Sequence, residues 1–285
     1  MDTQRVTAAV DRATARVGPA VLRWTVAVLW LGNLAWKRPP NFGSSGGSCS
    51  GYCRFLADGY QHPVFPGSGW LFREVITAHI GAFGWFTVVA ELTLAALLLS
   101  GRFVRTAALT GVALSFGIMA AVANAPGEWY WTYFLMIAMH LAVLVTAPVA
   151  RPQRASTFAG VVVAFGAVMT LVHIGEGLTG TAFTVFNGST PLPNDLARNL
   201  FGGSVALGLI MVVVGLVGLL AARLPAQQGR VVGLVALVAG VVVAATYSDD
   251  GTLIGLGATT STACILVALG LALSVSPEPA AGPVI

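Results

Sequence analysis

Phe83-Gly84-Trp85-Phe86-Thr87-Val88-Val89-Ala90-Glu91-Leu92-Thr93-Leu94-Ala95-Ala96-Leu97-Leu98-Leu99-Ser100 is an apolar run with one carboxylate near its middle. Crossing a hydrocarbon core of roughly 30 Å takes about 20 residues of helix, and from Ile80 this run has that length. Comparable runs fall near 19–36, 103–124, 128–148, 156–176, 200–222, 231–247 and 258–275. The expected fold is therefore all-α, a polytopic membrane helical bundle of about eight transmembrane helices, with the seventh and eighth short. A chain that is 56% hydrophobic and 9% charged, with a mean hydropathy of +0.82, would aggregate as a water-soluble globule of this size.

Charge placement orients the bundle. With the N-terminus inside, the cytoplasmic segments hold Arg5, Arg12, Arg16, Arg102, Arg105, Arg151, Arg154, Arg223 and Arg230, with Arg23 at the inner end of the first helix. The opposite side holds Lys37, Arg38, Arg54, Arg73 and Arg198 and most of the acids, among them Asp58, Glu74, Glu128, Asp195, Asp249 and Asp250. Each cytoplasmic loop thus carries two arginines, the positive-inside pattern, which predicts an N-in, C-in multi-pass protein of the plasma membrane. The net charge of +4 reflects this asymmetry and implies no nucleic-acid partner.

Three regions follow. Residues 1–18 space Val6, Val10, Ala13 and Val17 at helical intervals among arginines, which suits a helix lying on the cytoplasmic membrane surface. Residues 19–150 form a four-helix unit whose outer loop spans 38–79. All seven tryptophans precede residue 132, so this unit is the expected seat of function. Residues 151–285 form an accessory four-helix unit of Val, Leu, Ala and Gly, with small residues four apart, as in Ser204/Gly208 and Ala236/Gly240/Ala244, that let helices approach closely.

An ionisable group inside a membrane helix is costly and marks a functional candidate. Glu91 and His140 lie at nearly the same depth in the second and fourth helices, where a direct or water-bridged contact is expected. Trp129, Tyr133 and Met136 fall on the His140 face of the fourth helix. Together with Trp85 they could line a slot in which aromatic rings hold a quinone headgroup while Glu91 and His140 exchange its protons. The same aromatics also suit a membrane-interface belt.

The outer loop carries Cys49-Ser50-Gly51-Tyr52-Cys53, two of the chain's three cysteines. If this segment is helical, both sulfurs share a face suited to a metal. If it is an irregular Gly/Ser loop in an oxidising compartment, a small-ring disulfide forms. His62 and His79 reach the same side, with His173 as a substitute. Two thiolates and two imidazoles could hold zinc or a [2Fe-2S] cluster with one iron on each ligand pair.

Several segments resemble the DoxX/DoxD membrane family: Val21-Leu22-Arg23-Trp24 through Leu31-Gly32-Asn33-Leu34-Ala35-Trp36-Lys37, Phe83-Gly84-Trp85 through Glu91, Leu98-Leu99-Ser100-Gly101-Arg102-Phe103-Val104-Arg105, and Trp129-Tyr130-Trp131 onward. The resemblance covers roughly residues 19–150. Its DoxD branch is the small subunit of thiosulfate:quinone oxidoreductase, which implies a quinone-linked respiratory role. The cysteine-bearing loop and four additional helices depart from that pattern and equally suit the membrane anchor of an actinobacterial succinate dehydrogenase-type complex. The expected function is a membrane-integral subunit of a respiratory oxidoreductase that anchors soluble dehydrogenase and iron-sulfur subunits on the cytoplasmic face and passes electrons to membrane quinone. The alternative is a non-redox assembly protein or transporter with a disulfide-stapled outer loop.

Overall fold

The computed structural model describes residues 3–34, 37, 39–126, 128, 130–147, 154–179, 205–246 and 256–274. Among these the chain is all-α apart from one minimal hairpin. Helix α1 (Thr3–Leu34) is followed by the strands β1 (Ser44–Ser45) and β2 (Ser48–Cys49) and by α2 (Tyr52–Gln61). Seven further helices follow: α3 (Ile80–Ser100), α4 (Val104–Val122), α5 (Tyr130–Thr146), α6 (Ala155–Thr179), α7 (Val205–Ala221), α8 (Ala226–Ala245) and α9 (Leu256–Ser274). Val17–Leu34, Ser68–Ser100, Val104–Val122 and Ala226–Ala245 are long and apolar enough to cross a membrane, and 131–146, 155–171, 207–221 and 259–274 are shorter apolar helices. This is a multi-pass membrane protein by length and composition.

Three boundaries differ from the hydropathy pattern. Helix α1 runs unbroken through Pro19, so no turn separates 3–18 from the first span. A helical path starts at Ser68, well inside the expected outer loop, and passes through a wide π turn (Leu71–Ile76) and a tight turn (Thr77–His79) before α3. Its exposed Arg73 and Glu74 pair with each other at 2.7 Å and break the apolar signal. Helix α8 is 20 residues long rather than short, because Ala226-Gln227-Gln228-Gly229-Arg230 is polar helix that hydropathy does not register.

The helices pack as α1 with α3, α4 with α5, α6 with α7, and α8 with α9, and α9 joins the halves by lying against α3 as well as α1, α6 and α7. In the second half, glycines bring helices into close approach. A Cβ on Gly240 would come within 2.7 Å of Val267 Cγ2 and 3.0 Å of the Ala263 carbonyl, and one on Gly166 within 2.7 Å of the Gly208 carbonyl. Small residues thus set the α6–α7 and α8–α9 spacing.

Residues 39–79 form a cap over the end of the bundle where α1 finishes and α3 begins. In the hairpin, Ser44 pairs with Cys49 and Ser45 with Ser48. Gly46 and Gly47 form the two-residue turn with φ of 56° and 82°, the left-handed conformation such turns require. The opposite end of the bundle carries exposed Arg105, Arg154, Arg223 and Arg230.

Candidate functional site

One face of α1 organises the polar interior. Trp30, Asn33 and Lys37 recur at helical spacing, the last just beyond the helix end. Lys37 turns back through its backbone, whose N–H donates to the Leu34 carbonyl at 3.0 Å, while its Nζ donates to the Asn33 carbonyl at 2.6 Å. A cation placed there complements the negative end of the helix dipole. The same Nζ donates to Glu91 Oε2 at 2.8 Å, and Asn33 Nδ2 donates to Glu91 Oε1 at 2.9 Å. Both carboxylate oxygens are engaged, and the pair is sealed from water, with side-chain exposures of 3% and 1%. Burial pulls the Lys37 ammonium below its ordinary range, opposed by the charge and hydrogen bond of Glu91.

The cap packs on the turns of α3 that precede Glu91. Phe42 is wholly buried and lies against the bare Cα of Gly84, where a Cβ would meet its ring at 2.5 Å. Its ring centroid is 6.0 Å from Trp85 and 5.9 Å from Tyr52, both edge-on. Thr87 Oγ1 donates to the Phe83 carbonyl at 2.9 Å, so its bond with the Tyr52 hydroxyl, also 2.9 Å, is donated by Tyr52. Thr87 is one turn from Glu91, which links the cap to the buried carboxylate. Burial pushes the Tyr52 hydroxyl up, with the Thr87 bond acting against it.

Cys49 and Cys53 are joined in a disulfide with their Cα atoms 5.3 Å apart. The segment is neither all helix nor all loop: Cys49 ends β2, Cys53 lies in the first turn of α2, and the chain turns between them at Ser50-Gly51. The Cys53 N–H donates to the Phe42 carbonyl at 2.8 Å, so the staple fixes the residue that plugs the bundle. The expectation of a metal on these sulfurs gives way here, because each is bonded to the other and neither is a thiolate. His62 stands at the far end of α2, roughly 13 Å of helix rise from Cys53, and His79 is exposed at the start of α3. His173 lies on α6, and its side chain is outside the described residues. Among the described residues no group of three or more His, Cys, Asp or Glu could hold a metal ion.

His140 is fully buried on α5. Its Nε2 accepts from Trp30 Nε1 at 2.8 Å, which places the proton of the neutral ring on Nδ1. That Nδ1 has no hydrogen-bond partner, and neither does the buried Ser115 Oγ on α4. The ring packs over Gly111, one turn before Ser115, where there is no room for a Cβ. Glu91 and His140 therefore do not bond to each other directly; each is held by its own residue of α1.

The aromatic candidates divide. Tyr133 and Met136 share the inward face of α5 with His140, but the Tyr133 hydroxyl donates to Glu128 Oε2 at 2.7 Å, toward the cap. Trp85 belongs to the Phe42 cluster. Trp129 lies outside the described residues. Comparison with protein-family models, with curated proteins and with solved structures finds no match, so the resemblance to DoxX/DoxD rests on the quoted residues alone. Lys37, Asn33 and Trp30 are the partners of Glu91 and His140 that the candidate set lacked. Their signal is present in the sequence as polar positions three and four apart at the end of an apolar run.

Proposed function

We propose that the chain is the membrane-integral, quinone-reactive subunit of a respiratory oxidoreductase, with eight spans, both termini cytoplasmic, in the plasma membrane. The observation that carries this is the buried His140, whose Nδ1–H faces no protein acceptor while Trp30 holds the opposite nitrogen. A donor stranded in a dry interior suits a carbonyl oxygen of a ligand, and Ser115 Oγ one turn from Gly111 offers a second donor. A quinone supplies two carbonyl oxygens and accepts two electrons and two protons. Within the protein, Trp30 fixes the His140 tautomer, His140 donates at Nδ1, and Glu91 exchanges protons while Lys37 balances its charge. The exposed arginines at the opposite end provide the docking surface for a soluble dehydrogenase, of thiosulfate or succinate type. The disulfide does not fit an iron-sulfur or zinc centre, and no electron step passes through it.

The test is the quinone content of the purified full-length protein in mild detergent, extracted and quantified per chain. Stoichiometric quinone that is lost in His140→Phe is the expected result. Quinone no higher than in an equal amount of host membrane lipid would sink the proposal and leave the stapled cap as the mark of a non-redox assembly protein or transporter. Within the intact complex, Glu91→Gln should slow quinone reduction; unchanged rates would remove Glu91 from proton exchange.

A further inference from the structure

The basic end of the bundle contains a second set of unusual groups that quinone chemistry does not use. Arg23 on α1 is only 1% exposed, yet its Nε and Nη2 have no hydrogen-bond partner. Arg102, at the end of α3, is 6% exposed; its Nη2 donates to the Ala272 carbonyl of α9 at 3.3 Å, and its Nε has no partner. Between them is Gly101, left-handed at φ 70°, whose bare Cα admits the Arg23 guanidinium. A Cβ there would lie 3.0 Å from Nη2 and 3.1 Å from Cζ. The Arg23 guanidinium thus lies against the C-terminal end of α3, and Arg102 follows as the next residue after Gly101, just past the Ser68–Ser100 span, where lipid headgroups would lie.

Nothing among the described side chains neutralises them. Glu91 is bound to Lys37, Glu74 to Arg73 and Glu128 to Tyr133, and Asp58 lies on α2 in the cap. The α3 dipole attracts cations at this end, but no carbonyl accepts from Arg23. A buried charge without counter-charge is strongly unfavourable, whereas a guanidinium fork matches the oxygens of a phosphate. Basic pockets between membrane helices take lipid headgroups by this chemistry.

We propose that Arg23 and Arg102 form a phosphate-oxyanion site at the membrane boundary, filled by the headgroup of an anionic phospholipid or by free phosphate. The guanidinium of Arg23 supplies the buried fork, Arg102 the second donor, and Gly101 the space. The test uses the full chain, delipidated in neutral detergent, with native mass spectrometry and thermal unfolding in the presence of phosphatidylglycerol, phosphatidylcholine or inorganic phosphate. Phosphatidylglycerol should stay bound and raise the unfolding temperature above that with phosphatidylcholine. An equal rise with inorganic phosphate would identify the free ion as ligand. Arg23→Gln should weaken binding by roughly tenfold or more, the loss of a charge-assisted hydrogen-bonded pair, and Arg102→Gln by less. Should Arg23→Gln fail to fold, Arg23→Lys, which keeps the charge without the fork, and Arg102→Gln still report. The proposal is overturned if wild type binds neither anion, or if well-folded Arg102→Gln and Arg23→Lys bind both as tightly as wild type.

Discussion

The two halves of this protein hold helices together by opposite means. In α1–α5 the interior contains Arg23, Lys37, Glu91 and His140, all nearly inaccessible. Among the described side chains of α6–α9 the buried polar ones are threonines, Thr170, Thr259, Thr260 and Thr262, and contact is made through Gly166, Gly208, Gly233, Gly240 and Gly270. A lipid environment provides no hydrophobic drive between helices, so association comes from polar bonds or from close packing. Among its described residues the second half relies mainly on the cheaper means. The first accepts the desolvation of charges, a cost that makes sense where those charges act on something.

The strongest way to break this contrast is Lys37→Met. It leaves Glu91 buried with only Asn33 as a partner and should lower stability by about 3–5 kcal/mol, read as the shift in detergent-induced unfolding. Adding Glu91→Leu should recover most of that loss while quinone-linked activity stays absent, which separates the pair's functional role from its structural one. Next is Gly208→Leu in the packed half. Gly208 faces Thr170 and the Gly166 carbonyl at 2.9 Å, and overpacking there should cost up to about 3 kcal/mol with no change in quinone content. Cys49→Ser with Cys53→Ser opens the staple. The small ring predicts a loss of about 2 kcal/mol, and faster exchange of the amides around Phe42 should accompany it in hydrogen-exchange mass spectrometry. The smallest effect belongs to Trp30→Phe. One interhelical hydrogen bond in a membrane is worth about 0.6 kcal/mol, so stability should barely move while quinone content falls, because His140 loses the partner that fixes its tautomer.

Hydropathy made the spans legible because burial in lipid selects for length and apolarity, which are local properties. What it missed is equally physical. The helical lead-in from Ser68 is exposed and charged at Arg73 and Glu74, so it looks like loop although its backbone is helical. Glu91 stood out as an isolated carboxylate, but its counter-ion comes from Lys37, 54 positions earlier, and such a pairing is set by how α1 and α3 meet. Spacing alone left Cys49 and Cys53 open between metal and disulfide. The strand-to-helix change at Ser50-Gly51 decides it, because it brings the two Cα atoms to 5.3 Å while His62 is carried to the other end of α2.

The position of α9 has a consequence for how the protein is made. It is translated after the other described helices, yet it lies against α3 and α1, and the bond from Arg102 to Ala272 spans 170 positions. Until synthesis reaches residue 272, the flank of α3 that α9 covers faces lipid or an insertion factor. Completion of the α1–α5 half is thereby tied to translation of α9, so a polypeptide halted after α8 would enter the bilayer with that half still open along α3.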